Sequence, residues 1–364
     1  MWSLTLGLVI TLFAASPKAP DVSPLAECHR AARARDWKIG GDFEVRLTLT
    51  DTGRVNGITM LKNTSQNALL ERCVRYHLQN MLFSGHKSPL TLRFSFPRDQ
   101  PQAGVLAADV PISRVAGNGT AARVLVHPHS VSGATVSLSV VRIEKNGRFP
   151  LHLHRNQAVS YFVLEGTGRI DTNPAQGKTT ARPLSVGAAG YIPVGILHEF
   201  IGPAGEEPLV FLLWSMPAGL EQFFLHGEPS RHDVWLFPPE TSSEPRPQVD
   251  YTNANQLRHV DRSLPTGEPR QVEKTTWFSL PAVGEWCVIT APPGKSVTLL
   301  PPKGSFFSAF VLRGGGEWTS QNQTYVLQPG SGWYFQHKAT YTPKIEKVPL
   351  FLIAYCGRGT CNIQ

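Results

Sequence analysis

The chain has 364 residues, 41% of them hydrophobic and 17% charged, with 32 glycines and 30 prolines, which excludes a disordered chain and points to a folded, turn-rich, mainly β protein. Domains usually run to about 100–200 residues, so two or three are expected. The formal charge of +8 is scattered along the sequence and not gathered into a basic stripe or an RNA- or DNA-binding motif, so nucleic acid is not an expected partner.

Residues 2–13 form an apolar run closed by Ala14, Ala15 and Ser16, which reads as the core and small-residue end of a signal peptide over 1–19. Export to the periplasm or beyond follows, with an uncleaved N-terminal anchor as the alternative. The run falls short of the ~20 residues that span a bilayer, and no integral membrane span is expected in the mature form. Cys28, Cys73, Cys287, Cys356 and Cys361 carry no C-x-x-C spacing. That excludes a zinc ribbon or a thioredoxin-type site and leaves pairing in an oxidising compartment, with at least one thiol left over.

Residues 22–98 read as a small α+β unit. Ser23 and Pro24 open a short helix containing Cys28. Phe43, Val45, Leu47 and Leu49 then alternate with polar residues, residues 51–53 turn, and 55–61 return as a second strand. Leu69, Leu70, Cys73, Val74, His77, Leu78 and Met81 recur at helical spacing, which predicts a helix packed on that hairpin, with His77 as a core residue. Leu90, Leu92, Phe94 and Phe96 close the unit as a strand. This succession, with GDFEVRLTLTDTGRVNGITML at 41–61, resembles the C-terminal domain of TonB-family proteins. The Cys28 and Cys73 pair looks like a variant of that domain. Only the short segment 17–20 separates the unit from the N-terminal run, where an energy transducer has a long spacer, so the resemblance implies a contact module for an envelope protein partner or peptidoglycan.

Residues 99–120 are a linker or lead-in strand, and a second break falls at 227–250. The regions on either side of that break repeat each other. SYFVLEGTG at 160–168 answers SAFVLRGGG at 308–316; LSVGAAGY at 184–191 answers LQPGSGWY at 327–334; PLVFLLW at 208–214 answers PLFLIAY at 349–355. Three matches in one order imply two copies of one barrel, over 110–226 and 250–364, packed together.

The first copy carries the chemistry. His152 and His154, at i and i+2 on a strand, point to one face. Pro193 and Gly195 shape a turn that delivers His198 onto a neighbouring strand, so three imidazoles can share a cation. The segments GRFPLHLH from Gly147 and GAAGYIPVGILH from Gly187 resemble the two motifs of the cupin superfamily. The resemblance makes His152, His154 and His198 the metal ligands. It implies a mainly β bicupin, two double-stranded β-helix barrels behind the α+β unit, with the second barrel degenerate.

The sequence departs from the family at the fourth ligand. Seven residues before Gly166, where cupins usually place Glu, stands Val159, with Ala158 beside it; Gln157 could lend only an amide oxygen. A neutral three-histidine set suits divalent Fe, Ni, Cu, Zn or Mn better than Mg or Ca. Glu165 and Glu199 are not placed to be ligands, Glu165 being read as a solvated turn residue, and His127 and His129, split by a proline, are read as an edge or loop. In the second copy, alignment on FVL-x-G sets Leu300, Pro302 and Tyr341 at the ligand positions. That barrel is expected to support its neighbour or to bind an apolar ligand, and a bridge among Cys287, Cys356 and Cys361 is left open. Two functions fit: a mononuclear metal-dependent oxidoreductase of dioxygenase type acting on a small molecule, or a non-catalytic module that binds a small molecule or sugar and is tethered to an envelope partner through 22–98.

Overall fold

The computed structural model describes residues 9–12, 23–33, 36–98, 103–110, 112–115, 119–175, 178–218, 234–236, 254–265, 267–281, 283–321, 323–343, 348–360 and 362–364. The chain forms two compact units, Met1–Gln102 and Ala103–Gln364. The expected signal peptide over 1–19 lies outside the described residues except for Val9–Leu12, an antiparallel edge strand on Leu90–Phe96. Among the described residues no helix is long and apolar enough to cross a membrane. The 227–250 break is likewise undescribed apart from Val234–Leu236.

In the first unit, helices Ser23–Arg33 and Ala68–Asn80 accompany a sheet in which Gly41–Leu49 lies between Val55–Asn63 and Leu90–Phe96. The second helix starts where the Asn67 side chain accepts the Leu70 N–H at 2.8 Å, meeting one of the unpaired donors of its first turn. Leu70, Val74 and Leu78 form its fully buried stripe and join Phe43, Val45 and Leu47 in one core. Leu69, counted in that stripe by periodicity, is 44% exposed, because the buried arc follows i, i+4 and i+8 and leaves its neighbour on the flank. Cys28 and Cys73 are joined by a disulfide. His77 is only half-buried, its ring edge-on to Tyr76, and so is not the core residue expected.

In the second unit the chain builds the same barrel twice. Ala158–Glu165 lies between Ala189–Ile192 and Leu209–Met216; Phe307–Arg313 lies between Ser331–Phe335 and Leu350–Gly357. Even the irregularities recur, with register shifts at Val163/Glu165 and at Val311/Arg313. Each bulge is followed by a glycine in the left-handed region, Gly166 and Gly314. A Cβ on Gly166 would stand 2.1 Å from the Pro208 carbonyl oxygen, so glycine is required there by space as well as by φ. Each barrel has its own core, one containing Val159, Tyr161, Phe200 and Phe211, the other Trp318, Trp333, Phe335 and Tyr341.

The barrels also exchange strands, which division at 110–226 and 250–364 does not capture. Gly104–Leu106 pairs with Ser331, Gly332 and Trp333 of the second barrel, and Arg258–Val260 pairs with Ala189, Gly190 and Tyr191 of the first. The sheets meet through Trp214, whose Nε1 donates to Ser308 Oγ at 3.2 Å, and Trp277, whose Nε1 donates to the Gly187 carbonyl at 2.8 Å. Cys287 is a buried free thiol, and Cys356 is disulfide-bonded; Cys361 lies outside the described residues.

Candidate metal centre

The three histidines converge. His152 and His154 come from Arg148–His154 and His198 from Leu197–Ile201, and His152 faces His198 directly in the register of these strands. The turn between the second motif's strands is tied to the first motif, since Gly195, at φ 83, donates its N–H to the His154 carbonyl at 2.8 Å. Ring centroids lie 4.1 Å apart for His152 and His198, 4.9 Å for His152 and His154, and 5.2 Å for His154 and His198. One nitrogen from each ring lies within 4.8 Å of the other two.

All three side chains are buried. Desolvation holds the His152 imidazolium down to about 4 and pushes His154 and His198 well below the ordinary histidine range. The rings are therefore neutral at pH 7. His152 Nδ1 lies 2.6 Å from the Pro150 carbonyl and His198 Nδ1 2.8 Å from the Ile196 carbonyl. A carbonyl only accepts, so each Nδ1 carries the proton and donates it, which leaves a lone pair on Nε2. Those Nε2 atoms, and both nitrogens of His154, are buried without hydrogen-bond partners. A buried polar atom without a partner costs about 1–3 kcal/mol, and three of them aimed at one point fit a divalent transition metal, whose histidine ligands are oriented by such backbone acceptors.

Among the described residues no carboxylate joins the three. Val159 is buried and apolar, Glu165 is exposed, and Glu199 pairs with Arg148 at 3.2 Å. Gln157 is buried, and its Oε1 accepts from Ser215 Oγ at 3.0 Å. His127 and His129 sit in the turn after Thr120–Val126. Two features carried no sequence signal. Val234–Leu236 pairs along the ligand strand, setting Val234 opposite His154 and Leu236 opposite His152. His259, on the exchanged strand, lies 2.6 Å from the Tyr161 hydroxyl.

Among the described residues the second barrel has no such cluster, and its register corrects the residue equivalence. His198 pairs with Thr172 two positions from the Ile170–Phe200 pair, while Ala339 pairs with Ser320 two positions from the Trp318–Tyr341 pair. Ala339 therefore holds the place of His198, and Leu299, its partner, that of His152. Tyr341 matches Phe200. Tyr191 and Tyr334 hold equivalent places, pairing with Ser160 and Ser308, and the path from there to the ligand position is two residues shorter in the second barrel, ending at Ala339 and not at Tyr341, which ungapped alignment cannot show. Trp318, Trp333, Tyr334 and Phe335 are all buried.

This is a mainly β architecture of two cupin-type barrels, the first holding a buried three-histidine cluster. Residues 139–215 match the family model described as Cupin domain. The same fold is found in oxalate decarboxylase of Bacillus subtilis: the structure at pH 4.6 gives a TM-score of 0.53 at 14% identity over 74% of this chain and 79% of that one. A point variant of that enzyme gives 0.52 at 15% identity over 72% and 78%. At such identity the likeness is one of fold. In sequence, 76 residues are 34% identical to the probable oxidoreductase virH of Hypocrea virens, which is 21% of this chain and 33% of that protein. The match thus spans about a third of that curated relative.

Proposed function

We propose that the protein is a metal-dependent oxidoreductase of dioxygenase type, acting on a small molecule at an ion held by His152, His154 and His198. The observation that carries this reading is the set of buried, partnerless imidazole nitrogens within 4.8 Å of one another. The likeness to a probable oxidoreductase, and to the fold of an oxalate decarboxylase described as having manganese(II) centres, supports it. Such an ion supplies a Lewis-acidic, redox-capable centre with open positions for substrate. The chain does the rest: Pro150 and Ile196 hold the protons on Nδ1, and Phe149, whose ring is 4.5 Å from His152, with Phe200 keeps bulk water from the ligand side. With neutral donors only, the ion keeps its full charge and favours an anionic ligand.

Elemental mass spectrometry of protein from its native compartment, beside His152→Ala, tests the site; stoichiometric metal in the wild type and little in the variant are expected. Oxygen uptake by the iron-loaded protein tests the chemistry, and none across a broad substrate panel would overturn it. A non-catalytic binding role is favoured by one observation, that the second barrel has replaced its ligand positions with Leu299 and Ala339. Ligand binding that survives both metal removal and His152→Ala would select that role.

We also place the chain in the cell envelope, with residues 22–98 as a TonB-like contact module. Support comes from the apolar run at 2–13, the disulfide-bonded Cys28, Cys73 and Cys356, and the α-β-β-α-β order of the first unit. Cell fractionation with N-terminal mass analysis checks it; an intact N-terminus in the cytoplasmic fraction would refute export.

A further inference from the structure

Among the described residues one other group of side chains can offer a set of metal donors: Cys28, Cys73 and His77, whose two sulfurs and one imidazole nitrogen all lie within 4.8 Å of one another. Cys28 comes from Ser23–Arg33, and Cys73 and His77 from Ala68–Asn80, the helix laid beside it. On the second helix Leu70, Val74 and Leu78 face the core. Residues 69, 73 and 77, each one position earlier, therefore form the adjoining flank, and Cys73 and His77 stand one turn apart on it. Both are half-buried there, whereas Cys28 is buried. His77 has no hydrogen bond or ion pair among the described residues, and its ring meets the edge of Tyr76. Core packing thus accounts for Val74 and Leu78 and leaves this imidazole beside the two sulfurs without a use.

Closed as a disulfide, the sulfurs are poor donors, because the thiolate is the form that binds metal. Opened, they come close to the spacing a tetrahedral ion needs. Zinc–sulfur bonds of about 2.3 Å and zinc–nitrogen bonds of about 2.0 Å set the two sulfurs about 3.8 Å apart and each of them about 3.6 Å from the nitrogen. The Cα atoms of Cys28 and Cys73, 5.6 Å apart, let the sulfurs separate that far by side-chain rotation, and the imidazole starts within 4.8 Å of both. A dithiol reductant hands two electrons and two protons to the bridge and closes to its own disulfide; ion binding then releases both thiol protons. Two thiolates and a neutral imidazole cancel the charge of a divalent ion. Half-burial of Cys73 gives the reductant access and leaves the fourth position to water, and two cysteines, one histidine and an open position make a zinc donor set.

We propose that Cys28, Cys73 and His77 form a redox-gated zinc site, empty while the bridge is closed and filled once it is reduced, when the ion replaces the disulfide as the tie between the two helices. It is independent of the three-histidine centre, which contains no sulfur. The test is cobalt(II) titration of the full chain, oxidised and after reduction by a phosphine that is then removed. Thiolate-to-cobalt charge transfer in the near ultraviolet reports sulfur ligation alone, so cobalt held by His152, His154 and His198 does not contribute. The band is expected in the reduced wild type, absent from the oxidised protein and lost in Cys73→Ser. Reduction also frees Cys356, which is disulfide-bonded in the second unit, so Cys356→Ser is the control and should keep the band. His77→Ala retains both cysteines and hence the bridge when oxidised; once reduced, it should bind cobalt about tenfold or more weakly than the wild type. Zinc should also restore the first unit's melting midpoint after reduction in the wild type but not in His77→Ala. No band in the reduced wild type, a band that survives Cys73→Ser or vanishes in Cys356→Ser, or equal cobalt affinity with and without His77 would overturn the site.

Discussion

His152 and His198 differ from an ordinary buried pair in what their two nitrogens do: one donates to a backbone carbonyl two residues upstream, the other has no protein partner. On the proposed assignment, removing one ring removes a ligand without disturbing the acceptor that orients the other. His198→Ala is expected to lose most of the bound metal while keeping its far-ultraviolet circular dichroism, and retention of stoichiometric metal would sink the ligand assignment. His29, in the first unit, is a buried histidine with a different use. Its Nε2 lies 2.9 Å from the Ile39 carbonyl and its ring stacks on Phe96, while desolvation lowers its pKa to about 4. The unfolded chain binds a proton near 6.5 that the folded chain refuses, so His29 supports the fold fully above that pH. Stability should fall as pH drops from 6.5 toward 4, by up to about 1.4 kcal/mol per pH unit. Denaturant melts of wild type and His29→Gln across that range would show the difference; identical slopes would exclude His29 as the source.

Among the elements, the disulfide and the exchanged strands bear most on stability. Cys28 and Cys73 close a loop of sequence separation 45 and tie one helix of the first unit to the other. In the chain-entropy account such a bridge is worth about 2–4 kcal/mol. Cys73→Ser should lower the first unit's denaturation midpoint accordingly, and reduction of the wild type should reproduce the loss. Gly104, on the strand laid against Trp333, leaves no room for a side chain, since a Cβ would stand 2.3 Å from the Trp333 ring. Gly104→Val is expected to destabilise the second unit by about 1–3 kcal/mol through overpacking, read as a lowered thermal midpoint with the first unit's transition unchanged.

For the whole molecule, strand exchange makes the two barrels one cooperative body. One sheet of each barrel ends on a strand contributed by the segment before the other barrel, and the indoles of Trp214 and Trp277 bridge between these sheets. Calorimetry should therefore show the second unit melting in one transition, distinct from that of the first unit. Two separate barrel transitions would refute that coupling. The arrangement also gives the second barrel a purpose: its lead-in segment supplies the strand Arg258–Val260 that completes a sheet of the first barrel.

The sequence alone carried the barrel repeat, the α-β-β-α-β order and the three histidines, because each is written in local spacing: alternation along strands, glycine at bulges, His-x-His on one face. Tertiary structure decided what spacing does not encode. Tyr161 meets His259 across a separation of 98 residues, the strands Gly104–Leu106 and Arg258–Val260 cross between barrels, and a shortened turn moves the lost ligand positions to Leu299 and Ala339. Periodicity records which side of a strand is apolar; which strand lies beside it, and in what register, is fixed only when the chain closes on itself and side chains from distant segments compete for the same space.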